Sequence, residues 1–156
     1  MIKISYDLPN SIDYINLRVN SGMGNKKSIE RVDIALKNSL FTISLYDEKK
    51  LIGMGRIIGD GGISYAVTDI MVDKDYQGKG YGRLIMKEID NYFCENTDED
   101  CYIILIANLP ADKLYSKFSF FILLLFKRAI AKESINIGLH SSIKSEHNAG
   151  CLDLSE

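Results

Sequence analysis

The stretch Asp69-Ile70-Met71-Val72-Asp73-Lys74-Asp75-Tyr76-Gln77-Gly78-Lys79-Gly80-Tyr81-Gly82 decides the reading of this chain. An alternating apolar segment ends, a loop with three glycines follows, and a long amphipathic helix begins. Glycines at 78, 80 and 82 leave their backbone N–H groups unobstructed. Those groups converge at a helix N-terminus, where the macrodipole favours an anion. Lys79 and Arg83 add positive charge at the same point. The reading is a diphosphate cradle built mainly from backbone. Three alternate glycines exceed what one turn requires, although Lys79 and Arg83 taken singly read equally well as solvated surface charge.

Upstream of the loop, Leu40–Tyr46, Leu51–Ile58 and Ile63–Val72 read as a three-strand antiparallel meander. A charged turn (Asp47 to Lys50) and the hairpin signal Gly59-Asp60-Gly61-Gly62 connect them. Further upstream, Ile2–Tyr6 reads as a short strand. Asn10 or Ser11 caps a helix with Ile12, Ile15, Leu17 and Val19 at loosely helical spacing, and Gly22 and Gly24 end it. Ser28 caps a second helix bearing Ile29, Val32, Ile34 and Leu36. Downstream, Tyr81, Leu84, Ile85, Ile89, Tyr92 and Phe93 share one helical face, with Arg83, Lys87, Asp90 and Asn91 on the other. An acidic loop, Glu95 to Asp100, leads to a buried strand at Cys101–Ile106 and a short helix at Ala111–Phe118. A strand–helix–strand unit normally pairs its strands in parallel. The expected fold class is therefore α/β in the α+β sense: a mixed sheet with helices on both faces.

The chain has 156 residues, one domain's worth, with 46% hydrophobic and 26% charged residues. A net charge of −2 gives no basic field for nucleic acid. Three cysteines without a CxxC pair, and two histidines, His140 and His147, both late in the chain, argue against a disulfide framework and a zinc site. No apolar run approaches the ~20 residues a spanning helix needs. The expectations are a cytoplasmic protein with no membrane or nucleic-acid partner and no metal.

The Walker pattern fails because Tyr81, not Ser or Thr, follows Gly80, and the dinucleotide fingerprint fails by one residue of spacing. The pattern Gln77-x-x-Gly80-x-Gly82 instead resembles the coenzyme A loop of the GNAT superfamily of acetyl-CoA-dependent N-acetyltransferases. The meander ending in Asp69-Ile70-Met71-Val72-Asp73 resembles that family's fourth strand. Lys113-Leu114-Tyr115-Ser116-Lys117-Phe118-Ser119-Phe120 resembles its Leu-Tyr-x-Lys-x-Gly-Phe segment. The resemblance covers about three quarters of the chain and implies a GNAT-like acyltransferase fold over residues 1–156. Within it, residues 1–120 are family-like and 121–156 are a divergent tail.

The resemblance implies attack of an amine on the thioester of acetyl-CoA. Cofactor binding falls to Ile70, Met71, Val72, Gln77, Gly78, Lys79, Gly80, Tyr81, Gly82 and Arg83, with Asn108 on the pantetheine arm and Tyr115 at the sulfur. A backbone N–H near Met71 or Val72 would meet the thioester oxygen, and Tyr115 would protonate the departing thiolate. Tyr115 also reads as a packed helix aromatic. Asp69 reads either as the base or amine-binding carboxylate, or as a structural carboxylate. Many relatives carry a second carboxylate where Thr68 stands, so a water relay is the alternative base. His140 and His147 match no family position. After Phe120 the pattern is lost, and the run Phe120–Phe126 is compatible with strand or helix. The last strands of such proteins commonly form an acceptor wall and a dimer contact, so the resemblance leaves a homodimer open, and the divergent tail bears on acceptor binding and oligomeric state more than on cofactor binding. The acceptor is a small-molecule or peptide amine. The alternative is a non-catalytic acyl-CoA-binding or regulatory module of the same fold.

Overall fold

The computed structural model describes residues 1–107 and 121–124. Six strands form one sheet in sequential order: β1 (Ile2–Ser5), β2 (Phe41–Asp47), β3 (Lys50–Gly59), β4 (Ser64–Val72), β5 (Tyr102–Ala107) and β6 (Phe121–Leu124). The first four pair antiparallel, so β1 extends the expected meander by one strand. β5 pairs parallel with β4, and β6 parallel with β5, which gives the expected mixed sheet. Part of the ambiguous run Phe120–Phe126 is thus a strand. The expected helix at Ala111–Phe118 lies outside the described residues.

Among the described residues three helices cover the sheet: α1 (Ser11–Asn20), α2 (Ile29–Lys37) and α3 (Tyr81–Asn96). The first two start where their capping residues predict. The Asn10 side chain accepts from the Asp13 N–H, and the Ser28 side chain accepts from the Arg31 N–H. Their buried faces are narrower than the apolar spacing suggested. Tyr14, Ile15 and Leu17 are buried in α1 and Val32 and Leu36 in α2, while Ile12, Val19, Ile29 and Ile34 are exposed.

Two cores result, one on each face of the sheet. On one face, α3 lays Ile85, Met86, Ile89 and Phe93 against Ile43, Leu45, Ile57, Tyr65, Val67 and Leu105. On the other, α1 and α2 pack against Leu51, Met54 and Met71.

An irregularity in β4 sets up the site. Arg56 pairs with Thr68 and Met54 with Met71, so Gly55 alone opposes both Asp69 and Ile70. This is a β-bulge, with Asp69 in the left-handed region at φ 54°. One extra residue inverts the side-chain phase of the strand. Before the bulge Tyr65 and Val67 face α3; after it Ile70 and Val72 do, and Met71 turns to the α1 side.

Candidate active site

Beyond the bulge, β4 parts from β5. Their pairing runs from Ser64↔Tyr102 to Val67↔Leu105 and stops there, and among the described residues the last two of β5 pair only with β6. The remainder of β4 keeps β3 on one edge and, among the described residues, has no strand on the other. The N–H of Asp73 donates to Ile52 C=O at 2.8 Å, towards β3. Successive residues of a strand aim their backbone groups at opposite edges. The main-chain groups of Val72 therefore face the unpaired edge. Gln77 closes the end of that edge, its Nε2 donating to Val72 C=O at 2.9 Å. The glutamine of the loop pattern thus fixes the loop to the strand.

The loop then opens at the mouth of α3. Gly78 and Gly80 adopt φ of 75° and 85°, which glycine alone takes without strain. Gly80 is the N-cap of α3 and supplies no side-chain bond to the helix. The first helical bond of the backbone runs from Leu84 N–H to Gly80 C=O at 3.0 Å. The N–H groups of Tyr81, Gly82 and Arg83 precede it and have no acceptor among the described residues. A Cβ at Gly78 or Gly80 would meet nothing within 4 Å, so the space before these amides is open. Unshielded donors, a helix dipole and free volume together fit a diphosphate. Lys79 turns back instead of reaching outward. Its Nζ donates to Asp75 C=O at 2.9 Å and lies 5.0 Å from the Tyr76 ring centroid. Arg83 is exposed on the first turn of the helix. Tyr81 packs at the edge of the α3 core, 6.4 Å from Tyr76 between ring centroids.

The structure therefore brings together Val72, Gln77, Gly78, Lys79, Gly80, Tyr81, Gly82 and Arg83, with Ile70 and Met71 on the adjoining strand. Asn108 and Tyr115 lie outside the described residues. Asp69 sits on the α1 side and is 9% exposed. Its Oδ2 accepts from Tyr14 Oη at 2.7 Å and from Arg56 Nε at 2.7 Å. Its Oδ1 accepts from an Arg18 terminal nitrogen at 3.2 Å. Burial, together with the charge and hydrogen bond of Asp69, pushes the Tyr14 hydroxyl up to about 12, so it stays a donor at neutral pH. Arg56 also donates to Ala35 C=O at 2.9 Å and Ser39 Oγ at 3.0 Å, at the end of α2. Tyr14, Arg18 and Arg56 were not among the expected site residues. They lie 55, 51 and 13 residues from Asp69, so no local pattern announces them. Among the described residues no group of three or more His, Cys, Asp or Glu converges on a metal-sized space.

A family model described as an acetyltransferase (GNAT) domain matches residues 38–120. Among solved structures, a Staphylococcus aureus protein described as a probable acetyltransferase of unknown function is 44% identical. It covers 90% of this chain and 100% of that one, with a TM-score of 0.74. A GNAT-family acetyltransferase of Streptococcus pneumoniae is 26% identical, covering 78% of this chain and 89% of that one, with a TM-score of 0.63. An uncharacterized N-acetyltransferase of Pyropia yezoensis is 31% identical over 99 residues, which is 61% of this chain and 56% of that protein. The chain spans about half the length, or less, of the curated relatives it matches.

Proposed function

Because the chain belongs to the GNAT acetyltransferase family, we propose that it transfers the acetyl group of acetyl-CoA to a primary amine of a small molecule or peptide. Transfer is by direct attack in a ternary complex in the cytoplasm. The observation that carries this reading is the junction of the unpaired β4 edge with the open mouth of α3. One site offers donors for a carbonyl oxygen and, a few residues on, donors for a diphosphate.

Acetyl-CoA supplies an acyl group activated as a thioester. The amides from Gly78 to Arg83 hold the diphosphate and orient the long ligand along the β4 edge. The Val72 N–H donates to the thioester oxygen, where negative charge grows as the amine attacks. The C–N bond forms and the C–S bond breaks; Tyr115 gives its proton to the departing sulfur, and the second proton that the acylated nitrogen sheds returns through water to Tyr115. The amine must lose a proton to attack, which for an alkyl ammonium of pKa ~10.4 costs about 4 kcal/mol at neutral pH. Water carries that proton away on this reading, since three donors already occupy the Asp69 carboxylate.

Calorimetric titration with acetyl-CoA tests the assignment, and no heat of binding at millimolar ligand rejects it. Thiol release over a panel of amines identifies the acceptor. The engaged Asp69 favours a second reading, a non-catalytic acyl-CoA-binding module. Binding without thiol release across the panel would select it. Tyr115→Phe lowers turnover and spares acetyl-CoA affinity if the tyrosine is the acid.

A further inference from the structure

We propose that Asp69 is a positioning residue: clamped by Tyr14, Arg18 and Arg56, it holds the β4 bulge that turns the Val72 N–H onto the unpaired edge. It rests on the acetyltransferase reading for the use of that N–H, though the clamp itself stands on geometry alone.

A non-glycine residue at φ 54° is strained and persists only where its surroundings over-determine it. Here they do. One side chain from β3 and two from α1 converge on a single buried carboxylate. Arg56 extends the connection to the end of α2. Both guanidiniums are largely buried, with side chains 17% (Arg18) and 11% (Arg56) exposed, so their bonds to Asp69 are poorly screened. The carboxylate would otherwise face the apolar α3 side, since regular alternation places residue 69 with Tyr65 and Val67. The bulge and the clamp thus require each other. The extra residue brings Asp69 to its donors, and the donors hold the extra residue in place. The phase shift that follows sets which edge the Val72 amide faces.

A proton acceptor in catalysis needs a lone pair aimed at the substrate. The two oxygens of Asp69 already accept three bonds, two from charged groups. The carboxylate also ties together the helices α1 and α2 on the side of the sheet away from α3 and the bulge beside the cofactor loop.

The test compares the wild-type protein with Asp69→Asn and Arg18→Met by amide hydrogen exchange, calorimetric CoA binding and pH–rate profile. The expectation is at least tenfold faster exchange from Thr68 to Asp73 in Asp69→Asn, with a smaller increase in Arg18→Met. CoA affinity stays within about threefold, because the α3 mouth is untouched. The limb of the rate profile on the acid side keeps its midpoint while the plateau falls. Loss of that limb with β4 exchange unchanged would make Asp69 the base and overturn the proposal. If Asp69→Asn does not fold, Arg18→Met carries the same comparison, and exchange in β4 no faster than wild type overturns it. Faster exchange in a protein that binds no CoA in any form upholds the clamp and rejects the acetyltransferase reading.

Discussion

Gly55 and Ile85 meet across the interface between sheet and helix: a Cβ on Gly55 would stand 2.6 Å from Cγ2 of Ile85 and 2.6 Å from Cδ1 of Ile70. The missing side chain lets α3 lie close on the sheet beside the bulge, which fixes where the mouth of the helix sits.

Gly55→Ala tests that relationship. Replacing a strand glycine ordinarily gains roughly 0.5–1 kcal/mol from reduced chain freedom. Here overpacking opposes it, typically at about 1–3 kcal/mol, since Ile85 is fully buried and Ile70 is packed against the same core. The expected outcome is a net loss of about 1–2 kcal/mol in denaturant unfolding, with weaker acetyl-CoA binding as α3 lifts. A variant as stable as the wild type would show that α3 can move away freely.

Gly80 separates backbone strain from blockage of the site. Alanine there meets no atom, so Gly80→Ala suffers only the left-handed φ, about 1 kcal/mol or somewhat more. Gly80→Asp adds a carboxylate where the diphosphate is proposed to lie. Acetyl-CoA affinity should fall a few-fold in the first and at least ~100-fold in the second, measured by calorimetry. Equal affinities in the two variants would move the diphosphate elsewhere.

Asp60 and Gly80 show what a local reading can reach. The Asp60 carboxylate accepts from the N–H groups of Gly62, Ile63 and Ser64, which holds its carboxyl below the usual range. The Asp-Gly-Gly signal names such a turn because all the partners lie within four residues. The loop from Gln77 to Gly82 was legible for the same reason: glycine spacing and a helix start are short-range features. The bulge was not. Thr68 and Asp69 are both polar, so the alternation of β4 gives no sign that one residue is extra. The partners of Asp69 come from α1 and β3, and only the fold brings them together. Nor could apolar spacing tell Ile12 and Ile29, both exposed, from Leu17 and Val32, because each helix presents more apolar surface than the sheet covers.

Gln77 joins the loop to the end of β4, and a carboxylate cannot replace its donor. Gln77→Glu puts an acceptor against Val72 C=O, at the place where Nε2 now donates at 2.9 Å. The repulsion should loosen the loop and the negative charge should disfavour a diphosphate. Acetyl-CoA binding is expected to weaken at least tenfold, while the unfolding midpoint changes little because the residue is exposed. Unchanged affinity would mean that the glycines alone set the loop.

Asp73, directly after β4, makes acid stability a readout of the turn into the loop. Its side chain is almost wholly buried and meets Lys50 Nζ at 3.0 Å and the Asp75 N–H at 3.1 Å. Burial by itself would raise its carboxyl. The hydrogen bonds and charge of Lys50, with the Asp75 N–H, outweigh burial and hold it below the ordinary carboxylate value. A carboxylate depressed in the folded state contributes stability that is complete above its unfolded value, about 3.9, and is lost as pH falls through the lower folded value. Lys50 moves the other way: its hydrogen bond to Asp73 raises it, so its share is lost only at pH above about 10.5. Because Lys50 is half exposed, salt screens much of that share. Asp73→Asn should therefore cost about 1–3 kcal/mol near neutral pH. The gap to the wild type should begin to shrink below about pH 4, as the unfolded carboxylate takes up its proton. It should close as pH falls through the lower folded value, where the native carboxyl also becomes neutral. Urea unfolding of both proteins between pH 2.5 and 7 measures that gap, and a gap of constant size on acidification would show that Asp73 acts through shape instead of charge.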